Sequence, residues 1–349
     1  MRKETRCKLM DRSEMLSHTL KNQYLLEKAD KATVVSDLCG LQAQFANNPK
    51  YALRIRASDF MEDTWNEGLA KIWSFRGTLH MVKIEEIGLY LSARGLKSGW
   101  EEPRWGLDEG TATYWSEYLM ACIAEGIQGR EELKARCREK GISQEVMDKV
   151  FHGWGGLVRE MCDRGMIAYE SGTAKRFLVC RDLEFMDRDD ARAILIQRYF
   201  RAFAPATMED CARFTGYPKR EILRLVAGRS IPLRSVTVEG VEYFHLDDLQ
   251  GNGEIPRCLF LAGFDQMVMG YQDRSRFMDD RNKSDVVTTT GIIHPTILLH
   301  GKLKAKWRKE RTGIGITPFG PLGIRDRKAI TSKALEVFAG EIRTVTFHD

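Results

Sequence analysis

The chain has 349 residues, more than one small core usually fills, so two or more compact modules are expected. Hydrophobic residues at 43% and charged residues at 30% exclude a largely disordered chain. The 54 Lys+Arg against 49 Asp+Glu leave only +5, so net charge alone announces no nucleic-acid partner and any basic surface must come from local clustering.

The first twelve residues mix charges of both signs and no long apolar run follows, which argues against a signal peptide or membrane anchor and for a cytoplasmic protein. Helical patterns run over 16–26, 31–44 and 51–58 and form a first module ending near residue 112. A second module, 113–184, reads as a helix over 131–140, a terminating Gly141, and a helix starting after Ser143. A strand pair then sets Ile167-Ala168-Tyr169 against Phe177-Leu178-Val179 across Ser171-Gly172. The same order returns over 185–250, with helices over 191–201, 208–215 (capped by Thr207) and 219–226. The hairpin 235–238/241–244 then turns at Glu239-Gly240. Helix, helix, hairpin is the grammar of a winged helix. After the Gly251-Asn252-Gly253 linker, residues 251–349 alternate short apolar runs with Gly and Pro turns: a hairpin at 297–307 and a closing helix over 331–340. The fold class expected is α+β, three tandem winged-helix modules followed by a β-rich carboxyl-terminal domain.

Eight cysteines, at 7, 39, 122, 137, 162, 180, 211 and 258, are scattered without metal-finger spacing, and His294 and His300 stand at neither i+3 nor i+4. Reduced thiols, no metal and no cofactor are expected. Gly40-Leu41-Gln42-Ala43-Gln44 puts two carboxamides one residue apart, ahead of an expected helix end at Asn47-Asn48-Pro49. An amide donates and accepts at once, so two convergent ones can orient a water without deprotonating it. Positions i and i+2 diverge on an α-helix, so Gln42 and Gln44 are placed where a helix loosens; the alternative is a polar helix end.

Arg76 and His80 flank Gly77 in Arg76-Gly77-Thr78-Leu79-His80, where a nucleotide backbone can approach closely, although a lone histidine is more often a structural, hydrogen-bonded residue than an acid or base. Residues 264–276 pack Asp265, Asp273, Arg274 and Arg276 into one loop, functional or else self-paired through Asp273. A period-two strand over 302–308 aligns Lys302, Lys304, Lys306 and Arg308 on one face and Leu303, Ala305 and Trp307 on the other. That face can grip phosphates or simply protect a sheet edge. Walker loops, nucleophile elbows and dinucleotide fingerprints are absent from the sequence.

Four blocks occur in one order: Gly40-Leu41-Gln42-Ala43-Gln44, Arg76-Gly77-Thr78-Leu79-His80-Met81-Val82, Phe264-Asp265 with Tyr271-Gln272-Asp273-Arg274, and Gly291-Ile292-Ile293-His294-Pro295-Thr296-Ile297-Leu298. Together, from about residue 13 to the end, they resemble the AlkZ/YcaQ-type winged-helix DNA glycosylases. The resemblance implies a concave cradle for duplex DNA and a catalytic Gln-x-Gln motif at Gln42 and Gln44, with Ala43 departing from the larger aliphatic residue usual between them. It implies an enzyme releasing N7-alkylated purines, with duplex DNA as partner; a monofunctional monomer is expected, and Arg76, His80, Arg274, Arg276, Lys302, Lys304, Lys306 and Arg308 are the candidate DNA contacts. Two other readings compete: a winged-helix regulator or architectural protein without catalysis, and catalysis by Asp265 or Asp273 instead of the amides.

Overall fold

The computed structural model describes residues 8–95, 105–172, 175–249 and 254–348. The chain groups into two compact units, one made of Met1–Trp65 with Ala193–Asp349, the other of Asn66–Arg192. Among the described residues no helix is long and apolar enough to cross a membrane.

In the Asn66–Arg192 unit, strands Leu69–Trp73, Leu79–Lys83, Ile167–Glu170 and Phe177–Val179 form an antiparallel sheet. The expected register holds: Ile167 faces Val179, Ala168 faces Leu178 and Tyr169 faces Phe177. The first hairpin turns through Arg76 and Gly77, both at positive φ (53° and 67°). Its strand then pairs with the second hairpin through Ala70 and Glu170, so one sheet joins residues on both sides of the division expected at residue 112. Helices Glu109–Ala124, Arg130–Glu139, Gln144–Val150 and Gly156–Asp163 surround a core of Trp115, Leu119, Leu133, Val150, Leu157, Met161 and Phe177. Gly156–Asp163 is a helix beyond the two expected in this module; it starts at Gly155 and Gly156, both at positive φ and both poor helix formers.

In the other unit, helices Arg12–Asn22, Lys31–Asp37, Asn47–Arg56, Met208–Thr215 and Lys219–Gly228, with most of Arg188–Ala202, accompany the hairpin Arg234–Val238/Val241–His245. Thr207 caps Met208–Thr215 through a capping box, as its sequence suggests. The Glu239-Gly240 turn has both φ values positive, the type I′ requirement. A five-stranded sheet follows in the order Thr344–Phe347, Gly313–Pro318, Lys302–Lys309, Thr296–Leu299, Cys258–Leu261. The helix Ile324–Val337 accompanies it, starting and ending earlier than the closing helix expected over 331–340. Trp307 and Phe260 of this sheet meet Phe338 and Tyr51 in one aromatic cluster, ring centroids 5.2–6.2 Å apart. Tyr51 lies on Asn47–Arg56, so this packing fixes the helix that follows the glutamine pair.

Candidate functional site

Helix Lys31–Asp37 begins at Asp30, whose carboxylate accepts from Thr33 N (2.9 Å). It ends early because Cys39 (φ 56°) and Gly40 (φ 78°) both turn left-handed, and Gly40 N–H donates back to Val35 O at 2.8 Å. The expected helix through Gln44 is therefore replaced by a short strand, Leu41–Gln42. Asn47-Asn48-Pro49, read as a helix end, is instead the first turn of Asn47–Arg56, where proline forfeits no hydrogen bond. The strand ends at Gln42 and Gln44 lies in the bend that follows, so neither residue is on a helix. Gln42 keeps 6% of its surface and its Oε1 has no hydrogen-bond partner among the described residues, whereas Gln44 is exposed. The two amides thus lie at different depths.

Four consecutive residues from the other end of the chain bear on this segment. A side chain at Gly263 would meet Asn48 Oδ1 at 2.7 Å. Phe264 stacks on Phe45 with centroids 5.4 Å apart and planes 23° apart. Asp265 holds Arg56 in a bidentate pair, Nη1 to Oδ2 at 2.9 Å and Nη2 to Oδ1 at 2.6 Å, with both side chains fully buried. Gln266 donates Nε2–H to Leu38 O at 3.3 Å and to Gly40 O. Gln266, Arg56 and Phe45 were not singled out from the sequence. Gly40 as a left-handed helix terminator was the one local signal available for the true position of the motif.

Asp265 also accepts from Ala262 N (3.0 Å) and Met267 N (2.9 Å), capping the short helix Gln266–Met269. With both oxygens engaged and 1% exposure, it has nothing left to offer a substrate. Asp273 is exposed and accepts from Ser275 N and Oγ, so the expected self-pairing with Arg274 or Arg276 gives way to a local turn. Carboxylate catalysis from this loop has no geometric support.

The cations separate by burial. Arg276 is 5% exposed, donates to Pro205 O at 2.9 Å and lies 4.0 Å over the Tyr271 ring, making it a core residue and correcting its expected place at a DNA surface. Arg274 donates to Val268 O at 2.7 Å; burial, then the charge of Arg213, lowers it to about 10. His80 is fully buried, with Nδ1 3.2 Å from Thr78 O, and burial followed by the Arg76 charge pushes it down to about 3, so it too leaves the DNA-contact set as a neutral core histidine. Arg76 is exposed at the hairpin turn. The strand Lys302–Lys309 alternates as expected, Leu303, Ala305 and Trp307 inward. Lys304 pairs with Asp279 at 2.9 Å and Lys302 donates to Ser275 O at 2.8 Å, while Lys306 is half-buried and Arg308 is exposed beside Glu310 (3.1 Å).

Comparison with known proteins gives the family and the fold. Residues 35–339 match the family model described as "DNA glycosylase AlkZ-like". An interstrand DNA cross-link repair glycosylase of Streptomyces sahachiroi is 24% identical over 329 residues, spanning 87% of this chain and 89% of that protein. The solved structure of the Streptomyces sahachiroi DNA glycosylase AlkZ superposes with a TM-score of 0.78 at 22% identity, covering 97% of this chain and all of that one, and has the same mixed α+β fold. The chain belongs to the AlkZ-like DNA glycosylase family.

Proposed function

We propose that this glycosylase hydrolyses the N-glycosidic bond of N7-alkylated purines in duplex DNA, with Gln42 and Gln44 orienting the attacking water. The observation that carries the reading is the buried Gln42 carboxamide oxygen, which no group among the described residues satisfies, two residues from an exposed second carboxamide. Leaving such an acceptor unpaired costs about 1–3 kcal/mol, a penalty removed when a water or substrate group donates to it. Winged-helix modules provide the framework, supported by the helix, helix, hairpin order over 130–179 and 188–245. The enzyme acts as a cytoplasmic monomer needing no cofactor, and the name of the Streptomyces relative favours interstrand crosslinks among its substrates.

N7-alkylation gives the purine a positive charge. As the C1′–N9 bond breaks, its electron pair neutralises that charge, so the base departs without acid catalysis. The sugar becomes oxocarbenium-like, the water oxygen bonds to C1′, and the water's proton passes to solvent. Amides cannot take that proton, and with a cationic leaving group they need not; their work is to aim a lone pair and stabilise charge on the sugar. Carboxylates do this in ordinary glycoside hydrolysis, where the leaving group is poor.

Duplex DNA carrying a single N7-methylguanine separates this from the regulator reading. The enzyme yields free 7-methylguanine and an abasic site under single-turnover conditions; a protein that gives only a gel shift, with no base released, refutes the proposal.

A further inference from the structure

We infer that residues 264–266 form a clamp on the glutamine pair, with Gln266 as its principal positioning residue. The inference rests on the catalytic reading of Gln42 and Gln44 and adds to it the source of their placement. Leu38 and Gly40 lie past the end of helix Lys31–Asp37, where carbonyls lose their helical partners. Both are taken by one carboxamide: Gln266 Nε2 spends its two hydrogens on Leu38 O and Gly40 O, which dictates the orientation of the amide. Gly40 O belongs to the peptide unit leading into Leu41–Gln42, so this hydrogen bond sets the direction from which Gln42 projects. On the far side, Phe264 holds Phe45, the residue after Gln44.

The frame behind the clamp is stiff. Gln266 is 2% exposed and opens the helix Gln266–Met269, whose cap, Asp265, is gripped by Arg56 at the end of Asn47–Arg56. The segment carrying the glutamines is therefore tied before and after by neighbours in one short stretch. Gln266 Oε1 is buried without a hydrogen-bond partner among the described residues. A methionine would fill similar volume without that unsatisfied acceptor, so the amide's value lies in its two donors.

The test compares Gln266→Glu, Gln266→Met and Phe45→Ala in single-turnover release of N7-methylguanine, alongside duplex affinity and melting temperature. In Gln266→Glu a carboxylate faces two carbonyl oxygens, and a buried carboxyl titrates upward toward neutrality. We expect kcat to fall roughly ten- to a hundredfold at mildly alkaline pH with affinity within about twofold, and to recover partly toward about pH 6 as the carboxyl regains a donor. Gln266→Met loses turnover without the acid recovery, and wild type has no such limb. Phe45 is 46% exposed, so Phe45→Ala leaves folding intact and gives a smaller loss of kcat at unchanged melting temperature. This variant stands as the test if neither change at Gln266 folds. Turnover like wild type in the folded variants overturns the clamp, as do equal losses in both Gln266 variants at every pH, or a Phe45→Ala effect confined to affinity. A Gln42→Ala/Gln44→Ala variant run in parallel tells the two failures apart: if it is inactive while the clamp variants work normally, only the clamp falls; if it is fully active, the glutamine reading falls.

Discussion

His80 illustrates how one buried side chain sets a pH limit on the fold. Its folded value of about 3 lies below its ordinary 6.5, chiefly through burial, so the unfolded chain takes up a proton that the folded protein refuses. The stability His80 contributes is complete above 6.5 and is lost as pH falls from there toward 3, about 1.4 kcal/mol for each tenfold rise in proton concentration. Urea denaturation across that window should show a slope that flattens in His80→Leu. A residual slope is expected from His18, held down to about 4 by burial and then by the charge of His245. An unchanged slope in the variant would contradict the assignment. The sequence presented His80, Arg274 and Arg276 only as charge-bearing letters beside glycines and aspartates. Whether each points into the core depends on Thr78, Val268 and Pro205 carbonyls that no local pattern announces.

At the scale of elements, the helix Asn47–Arg56 is held at its end by the buried Arg56–Asp265 pair and along its side by Tyr51 against Trp307 and Phe338. Asp265→Asn should destabilise the protein by about 3–5 kcal/mol, because it leaves the guanidinium buried without its counter-charge. Chemical denaturation measures this, and a change below about 1 kcal/mol would show that Arg56 finds another partner. Replacing both partners with apolar residues of similar volume should recover much of the loss. Any fall in activity of Asp265→Asn then follows loss of this frame, not lost carboxylate chemistry. Hairpins were legible in the sequence because their turns combine Glu239-Gly240 or His300-Gly301 with matching apolar alternation, and both adopt positive φ as required. The strand Leu41–Gln42 was not, since two residues carry no period, and the left-handed Cys39 that ends the preceding helix is not a glycine.

For the whole molecule, the small net charge makes DNA affinity depend on a few local cations. Lys306→Ala should reduce the slope of log affinity against log salt by about 0.9, the value for one lost phosphate contact. Lys304→Ala and Arg308→Ala should change it less, because Asp279 and Glu310 already compensate those cations. Equal effects at all three positions would mean that Asp279 and Glu310 are displaced on binding, and no effect at Lys306 would remove this strand from the interface. The family match ties the α+β framework to glycosylase chemistry; in the proposed mechanism the amide pair takes the place that carboxylates have in ordinary glycoside hydrolysis. The most direct measurement is single-turnover base release by a Gln42→Ala/Gln44→Ala variant on duplex DNA bearing N7-methylguanine, with duplex affinity recorded in parallel. Release at the uncatalysed rate with affinity close to wild type is the predicted result; release at the wild-type rate would contradict the account.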